Sequence, residues 1–490
     1  MNEPDILEAD YVITGAGTTA MAFADTLLAE SDATMVLVDR RARPGGHWGD
    51  AYPFVRLHGA AATYGVNSEA LGQGTIDTVG LNKGLNEQAS GAEICAYFDR
   101  LMQHRLLPSG RVVYLSRHEV GAEGVATSLV HGRRVQLRAR RKWVDAARAD
   151  SQVPATHGPA FRIGEGVQCV APTGLTRGAT PATGHVIVGG GKTAIDTALW
   201  LLEQGADPDR ITWIRPRDAW LLNRAHVQPT LPFAHTTLEA ITHELEAARD
   251  AASVRDLFDR LEARRLLLRI DPAVEPAMYR CATVSEAELA QLQRIRRVVR
   301  LGHVQAIERD RIVLEKGEVP TSVDQIHVHC SSAGLPRAPL EAMFQGGRIV
   351  PQYVRRCSPA FSAALIAHVE VTETGDEAKN ALCRPVRVPE EPLDWLRMHI
   401  DSAANQLQWS RNAALRAWLR QSRLEAYAAL FEQAGRQAAL DGDGRWAALQ
   451  QRLGECRADG LRRMEELLAP PGGGGMDVRP EPEVPRLSPA

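Results

Sequence analysis

Tyr11-Val12-Ile13-Thr14-Gly15-Ala16-Gly17-Thr18-Thr19-Ala20-Met21-Ala22-Phe23-Ala24 is the stretch that decides the fold of this 490-residue chain. Before the glycines the run is apolar; after them the apolar side chains recur at helical spacing, with Leu27 and Leu28 completing the stripe. A strand, a tight turn and a helix in that order open a dinucleotide-binding unit. Gly15 lets the chain reverse, Gly17 lets backbone N–H groups approach a pyrophosphate, and the small Ala20 lets the helix lie close to the strand. The start of the helix adds unpaired N–H donors and a positive dipole end, with Thr18 and Thr19 beside them. Working outward, Met35-Val36-Leu37-Val38 is a second apolar run that ends in Asp39 and Arg40. A carboxylate at that point accepts hydrogen bonds from the ribose hydroxyls of an adenosine. The plainer alternative is a glycine turn in an ordinary α/β protein, and Asp39 in register argues against it.

The pattern occurs twice. Val186-Ile187-Val188 runs into Gly189-Gly190-Gly191-Lys192-Thr193-Ala194 and then a helix over 195–204. The next strand, Ile211-Thr212-Trp213-Ile214, ends in Arg215-Pro216-Arg217 in place of an acid. A guanidinium there neutralises and forks onto a 2′-phosphate, so Arg215 and Arg217 favour NADPH over NADH; a solvated loop is the plainer reading. Gly191-Lys192-Thr193 also looks like the end of a P-loop, but that motif needs glycine where this chain has Val186. Gly189, Gly191, Lys192, Thr193 and Ala194 are therefore the second set of nucleotide-binding candidates. Two dinucleotides held face to face are what an enzyme needs to pass a hydride from a nicotinamide to a flavin. The expected fold class is α/β, with two Rossmann-like domains for FAD and NADPH, a helical insertion and a helical C-terminal region.

The expected organisation follows the two turns. Residues 9–150 read as the first part of the FAD-binding domain, and 151–182, punctuated by prolines, as a crossover linker. Residues 183–300 read as the NADPH-binding domain with a helical insertion at 235–295. Residues 301–390 read as the return to the FAD-binding domain, with Gly334 in the small-residue turn after a strand at 324–330. Residues 391–468 are helical in pattern and carry Trp395, Trp409, Trp418 and Trp446, which suit a core or a homodimer face, with a cap over the active site as the alternative. Residues 469–490 read as a disordered tail.

With 57 basic and 60 acidic residues the net charge is −3, so there is no electrostatic case for nucleic acid. No apolar run approaches a membrane span, and the acidic N-terminus lacks a signal-peptide core, so a cytoplasmic protein is expected. The seven cysteines are scattered singly with no C-x-x-C, which argues against a disulfide-reductase centre. No His, Cys and carboxylate cluster has metal spacing; His327 and His329 read as strand packing.

After Asp39 come Arg43-Pro44-Gly45-Gly46-His47-Trp48 and Tyr52-Pro53-Phe54-Val55-Arg56-Leu57-His58. These runs resemble the G-G-x-W and Y-P-x-x-R segments of class B flavoprotein monooxygenases. The resemblance spans roughly residues 9–70, 183–225 and 320–340. It implies that Gly46, His47, Trp48 and His58 lie against FAD, that Asn67 approaches the flavin, and that Arg215 and Arg217 hold the NADPH phosphate. The string from Trp213 to Arg224 also resembles a less characterised FAD/NAD(P)-binding family. One departure stands out: class B flavoprotein monooxygenases carry an F-x-G-x-x-x-H linker, whereas Phe161-Arg162-Ile163-Gly164 is followed by no histidine before Gly184.

The resemblance implies an FAD-dependent monooxygenase that consumes NADPH and O2 and acts through a C4a-(hydro)peroxyflavin on a small molecule. Asn67, Arg56 and Trp48 are the catalytic candidates: a hydrogen-bond donor, a cation for a developing anion and a cover for the flavin ring. Each has a structural alternative, in a turn cap, an ion pair and packing. Two other functions share the same nucleotide sites. One is an NADPH-dependent flavin reductase or dehydrogenase without productive oxygenation; the other is a non-catalytic flavoprotein scaffold or redox sensor.

Overall fold

The computed structural model describes residues 5–148, 151–177, 183–332, 334 and 338–469. Of the expected disordered tail, residues 470–490 lie outside the described residues.

The strand Asp5–Thr14 is central to an eight-stranded sheet. It pairs in parallel with Met35–Asp39 on one side and Arg134–Asp145 on the other. Val112–Ser116 lies beyond Met35–Asp39, and the Phe344–Gln345 and Arg348–Ile349 hairpin lies beyond Arg134–Asp145. Met35–Asp39 is buried throughout, which is why it reads as an unbroken apolar run. The first glycine turn leaves the end of Asp5–Thr14 and enters the helix Thr18–Glu30, which packs on the helix Pro359–Thr372. That second helix is apolar almost all round and is correspondingly buried on nearly every side. Where they meet the sheet, Tyr11 Oη donates to Glu370 Oε1 (2.9 Å) and Lys379 Nζ to Glu370 Oε2 (2.6 Å), so the buried carboxylate is satisfied.

The second sheet has five strands, all parallel, in the order Arg297–Val299, Ile211–Ile214, Gly184–Val188, Gln325–His329 and Cys169–Val170. This corrects one expectation. Gln325–His329 does not return the chain to the first sheet; it is an inner strand of the second, and the return comes with the 344–349 hairpin. A strand buried on both faces has no pattern that names its sheet, so only the pairing decides. His327 and His329 are buried on this strand, as packing residues are.

The 235–295 segment differs from its helical expectation too. It holds the helices Ala234–Asp250, Val254–Ala263 and Glu286–Leu292, but also the strand Met278–Val284, which pairs in parallel with Ala219–Asn223. The C-terminal helices Pro392–Arg411, Ala428–Asp441 and Gly444–Leu468 fold back on it, the last lying along Ala234–Asp250, while Ala413–Gln421 packs against the core of the first unit. Trp395, Trp409 and Trp446 are buried within the chain, and Trp418 stacks on His368 at 4.5 Å. The cysteines hold a surprise: Cys281 and Cys357 form a disulfide, 76 residues apart in sequence. Among the described residues no helix is long and apolar enough to cross a membrane.

Candidate active site

Both glycine turns open into one cavity of about 3470 Å³. A pocket for one small ligand is roughly 300–1,000 Å³, so this space has room for more than one large molecule. Gly15, Gly17, Thr18, Thr19, Asp39, Arg40, Gly46, His47, Trp48 and His58 line it from the first unit. Gly189, Gly191, Lys192, Thr193, Arg217 and Gly334 line it from the second. Ala20 and Ala194 are buried behind the turns, where each helix meets its sheet.

The helices Thr18–Glu30 and Lys192–Glu203 begin on Gly17 and Gly191, which supply no side-chain cap. Their first N–H groups are thus left for something outside the protein chain. Asp39 is buried and fixed: its Oδ2 accepts from Ala16 N (2.6 Å) and its Oδ1 from Arg41 N (2.7 Å). The second glycine pair has a steric cause. Gly46 has φ +60°, and a Cβ on it would lie 3.0 Å from Gly17 Cα, so the Gly45-Gly46 loop rests directly on the first turn.

That loop delivers Trp48, whose Nε1 donates to Tyr64 Oη (2.7 Å); Tyr64 Oη in turn bonds Thr18 Oγ1. Burial pushes the Tyr64 phenol up to about 12. Burial likewise pulls His47 down to about 4 and holds His58 well below its ordinary value, so both imidazoles are neutral near pH 7. His58 Nδ1 accepts from Thr283 N (3.2 Å), which leaves its proton on Nε2.

In the second turn Gly189 has φ +133°, and a Cβ there would lie 2.8 Å from the carbonyl oxygen of Cys330. Lys192 pairs with Asp196, which also accepts from Tyr52 Oη of the first unit (2.7 Å). Arg215 departs from its expected role. It is 2% exposed, absent from the cavity wall, ion-paired to Asp218 (2.9 Å) and set over the Trp213 ring at 4.8 Å. The side chain turns inward because Asp218 and Trp213 offer it a partner and a face there. Arg217 does reach the cavity, where Glu390 Oε1 accepts from its Nη2 (3.0 Å), and Arg280 meets the same carboxylate at 2.9 Å. Arg217→Ala is expected to raise KM for NADPH at least about tenfold and to change KM for NADH little. Arg215→Ala is expected to lower the melting temperature by several degrees and leave the coenzyme preference alone. Titrations with both coenzymes and a melting curve separate the two outcomes.

Two catalytic candidates lie elsewhere. Arg56 is exposed outside the cavity and donates to the Gln88 carbonyl (3.4 Å), in a β-bridge between Arg56 and Ser90 that turns its side chain to solvent. Asn67 also lies off the cavity; its Oδ1 accepts from Ser422 Oγ (2.9 Å), so it ties the first unit to the C-terminal helices. The fold brings in residues with no local motif: Tyr279, Arg280, Arg356, Glu244 and His399. Arg356 Nη1 donates to Glu244 Oε2 (2.9 Å) and to His399 Nε2 (2.5 Å), while His399 Nδ1 donates to the Trp395 carbonyl (2.6 Å). Burial raises the Glu244 carboxyl, but the Arg356 guanidinium more than offsets it and holds it at about 2. Its stabilising effect is therefore full above its ordinary value of 4.5 and is lost as pH falls from there towards 2. Glu244→Gln should flatten that part of an acid-unfolding curve; an unchanged acid limb would count against the pairing.

No protein-family model matches the chain. The Mycobacterium tuberculosis (strain H37Rv) protein named "Uncharacterized protein Rv2000" is 47% identical over 425 residues, covering 87% of this chain and 79% of the relative. "Uncharacterized protein Mb2023" of Mycobacterium bovis is equally similar over the same shares. Among solved structures, the polycyclic ketone monooxygenase from the thermophilic fungus Thermothelomyces thermophila superposes with a TM-score of 0.51 at 15% identity, over 94% of this chain and 89% of that one. The fold is that of the class B flavoprotein monooxygenases, with two Rossmann-like units.

Proposed function

This chain belongs to the family of these mycobacterial proteins, and from its fold and cavity we propose that it is an FAD-dependent, NADPH-consuming monooxygenase that acts on a small molecule with O2. The observation that carries this reading is the single cavity into which both glycine turns open. The cradles fit the groups. Each helix start is uncapped, and the close approach of Gly46 to Gly17 leaves no side chain between backbone and ligand.

The pyrophosphate of FAD would lie at Gly15–Ala20 with its ribose at Asp39, and that of NADPH at Gly189–Ala194 with its 2′-phosphate between Arg217 and Arg280. When bound, the two cofactors would supply the hydride transfer and the oxygen-transfer chemistry that the side chains lack. The chain's own residues orient and enclose. Tyr52 on Asp196 and His58 on Thr283 register one unit against the other. Trp48 and Tyr64 form a wall beside Thr18, and the neutral His47 and His58 put no charge there. Tyr279 and the Arg356, Glu244 and His399 cluster line the part of the cavity nearest the C-terminal helices, where a substrate would be enclosed.

The test is anaerobic mixing of the FAD-loaded protein with NADPH. Rapid bleaching of the flavin is expected, and a flavin that stays oxidised would remove the reading. The missing linker histidine before Gly184 favours a second reading, an NADPH-dependent reductase that passes electrons to a small acceptor without oxygenation.

A further inference from the structure

The Cys281–Cys357 disulfide lies in the wall of the shared cavity. Cys281 belongs to the strand Met278–Val284. Between the pairs Trp220↔Tyr279 and Leu222↔Thr283 that strand has extra residues, a bulge that turns the Cys281 side chain out of the ladder. Cys281 has φ +54° and Cys357 has φ +36°, a left-handed backbone that ordinary side chains rarely adopt and that gathers at functional sites. Cys357 is exposed, and it directly precedes Ser358, the N-cap of the helix Pro359–Thr372. A helix N-terminus favours a thiolate, so Cys357 is the better leaving group of the two.

We propose that this bridge is a thiol-reducible site, and that a small-molecule thiol entering the cavity is its reactant. The incoming thiolate attacks Sγ of Cys281; the protein S–S bond breaks, and Cys357 leaves with the electron pair as a thiolate. A second thiolate attacks the sulfur of the bound thiol, releases Cys281 as a thiolate and departs as a small-molecule disulfide. The protons of the two spent thiols end on Cys281 and Cys357. Two thiols are oxidised and one protein disulfide is reduced. Opening the bridge unties the strand that carries Arg280 and Thr283 from the segment that leads into Pro359–Thr372. The bond thus couples the strand that carries Arg280 to the helix packed on Thr18–Glu30.

The experiment treats the folded full-length chain with millimolar glutathione, then denatures it in N-ethylmaleimide and maps its peptides by mass spectrometry. Untreated protein should yield Cys281 and Cys357 as one cross-linked, unlabelled pair. Treated protein should carry a label on each, with increased hydrogen exchange over 278–284. The Cys357→Ser variant exposed to glutathione disulfide should gain a glutathione adduct on Cys281, while the buried Cys383 gains none. If that variant does not fold, Cys281→Ser reads the same reaction on Cys357. Labels on both cysteines without treatment, or a bridge that opens only after denaturation, would overturn the proposal.

Discussion

In a Gly189→Ala variant, NADPH-dependent reduction of the flavin is expected to fall about 10- to 100-fold while the flavin remains bound. At φ +133° an alanine is strained, and its Cβ would lie 2.8 Å from the Cys330 carbonyl oxygen, a backbone atom that cannot swing away. Such strain costs on the order of 1–3 kcal/mol, and each 1.4 kcal/mol is a factor of ten. The turn can relieve the clash only by moving the start of the helix Lys192–Glu203, the part expected to face the NADPH pyrophosphate. Gly191→Ala is the matched control. Its Cβ would meet no protein atom within 4 Å, so it should fold normally and act only by crowding the nucleotide. Flavin content measured beside the reduction rate separates a damaged second turn from a collapsed fold. Equal NADPH kinetics in the wild type and Gly189→Ala would refute the assignment of that turn.

Arg224→Ala is expected to destabilise the protein by about 3–5 kcal/mol, because it strands a buried carboxylate. Arg224 Nη2 donates to Glu288 Oε2 (2.8 Å) and to the Thr283 carbonyl (3.0 Å), and Nη1 donates to the His58 carbonyl. Arg224 is 4% exposed, and Glu288 also accepts from Asn82 Nδ2 (2.7 Å), so this ion pair joins the segments around His58 and Asn82 to the second unit. Burial raises the Glu288 carboxyl, yet Arg224 and its hydrogen-bond donors outweigh that and hold it below the ordinary carboxylate range. The pair therefore stabilises the fold fully above that range, and its contribution fades as pH falls below it. Urea unfolding at neutral and acid pH should show a large deficit for the variant that shrinks on acidification. A small deficit, or one independent of pH, would contradict the geometry.

The two strand–turn–helix units were legible because each packs its signal into a short run. The period changes at the glycines, and the residue after the second strand is acidic in one unit and basic in the other. Trp48 and His47 were legible by resemblance, and the cause of the Gly45-Gly46 pair emerges only in its contact with Gly17. Arg215 and Asn67 mark where local reading stops. Arg215 sits where a phosphate ligand is expected, but the buried Asp218 and the Trp213 face draw it inward. Asn67 is claimed by Ser422, far along the chain. Arg280, Glu244, Arg356 and the Cys281–Cys357 bridge come from separate segments that only tertiary packing assembles, so no spacing in the sequence could announce them.

On the proposed reading, electrons entering through the second turn reach a flavin on the first and are spent on oxygenation within the same cavity. Double-mixing stopped flow tests it most directly: NADPH is added to the flavin-loaded protein without oxygen, and oxygenated buffer follows. Rapid bleaching is expected, then a blue-shifted flavin absorbance that persists while NADP⁺ is bound, before the oxidised spectrum returns. Immediate return to oxidised flavin with stoichiometric hydrogen peroxide would contradict it and leave the reductase reading in its place.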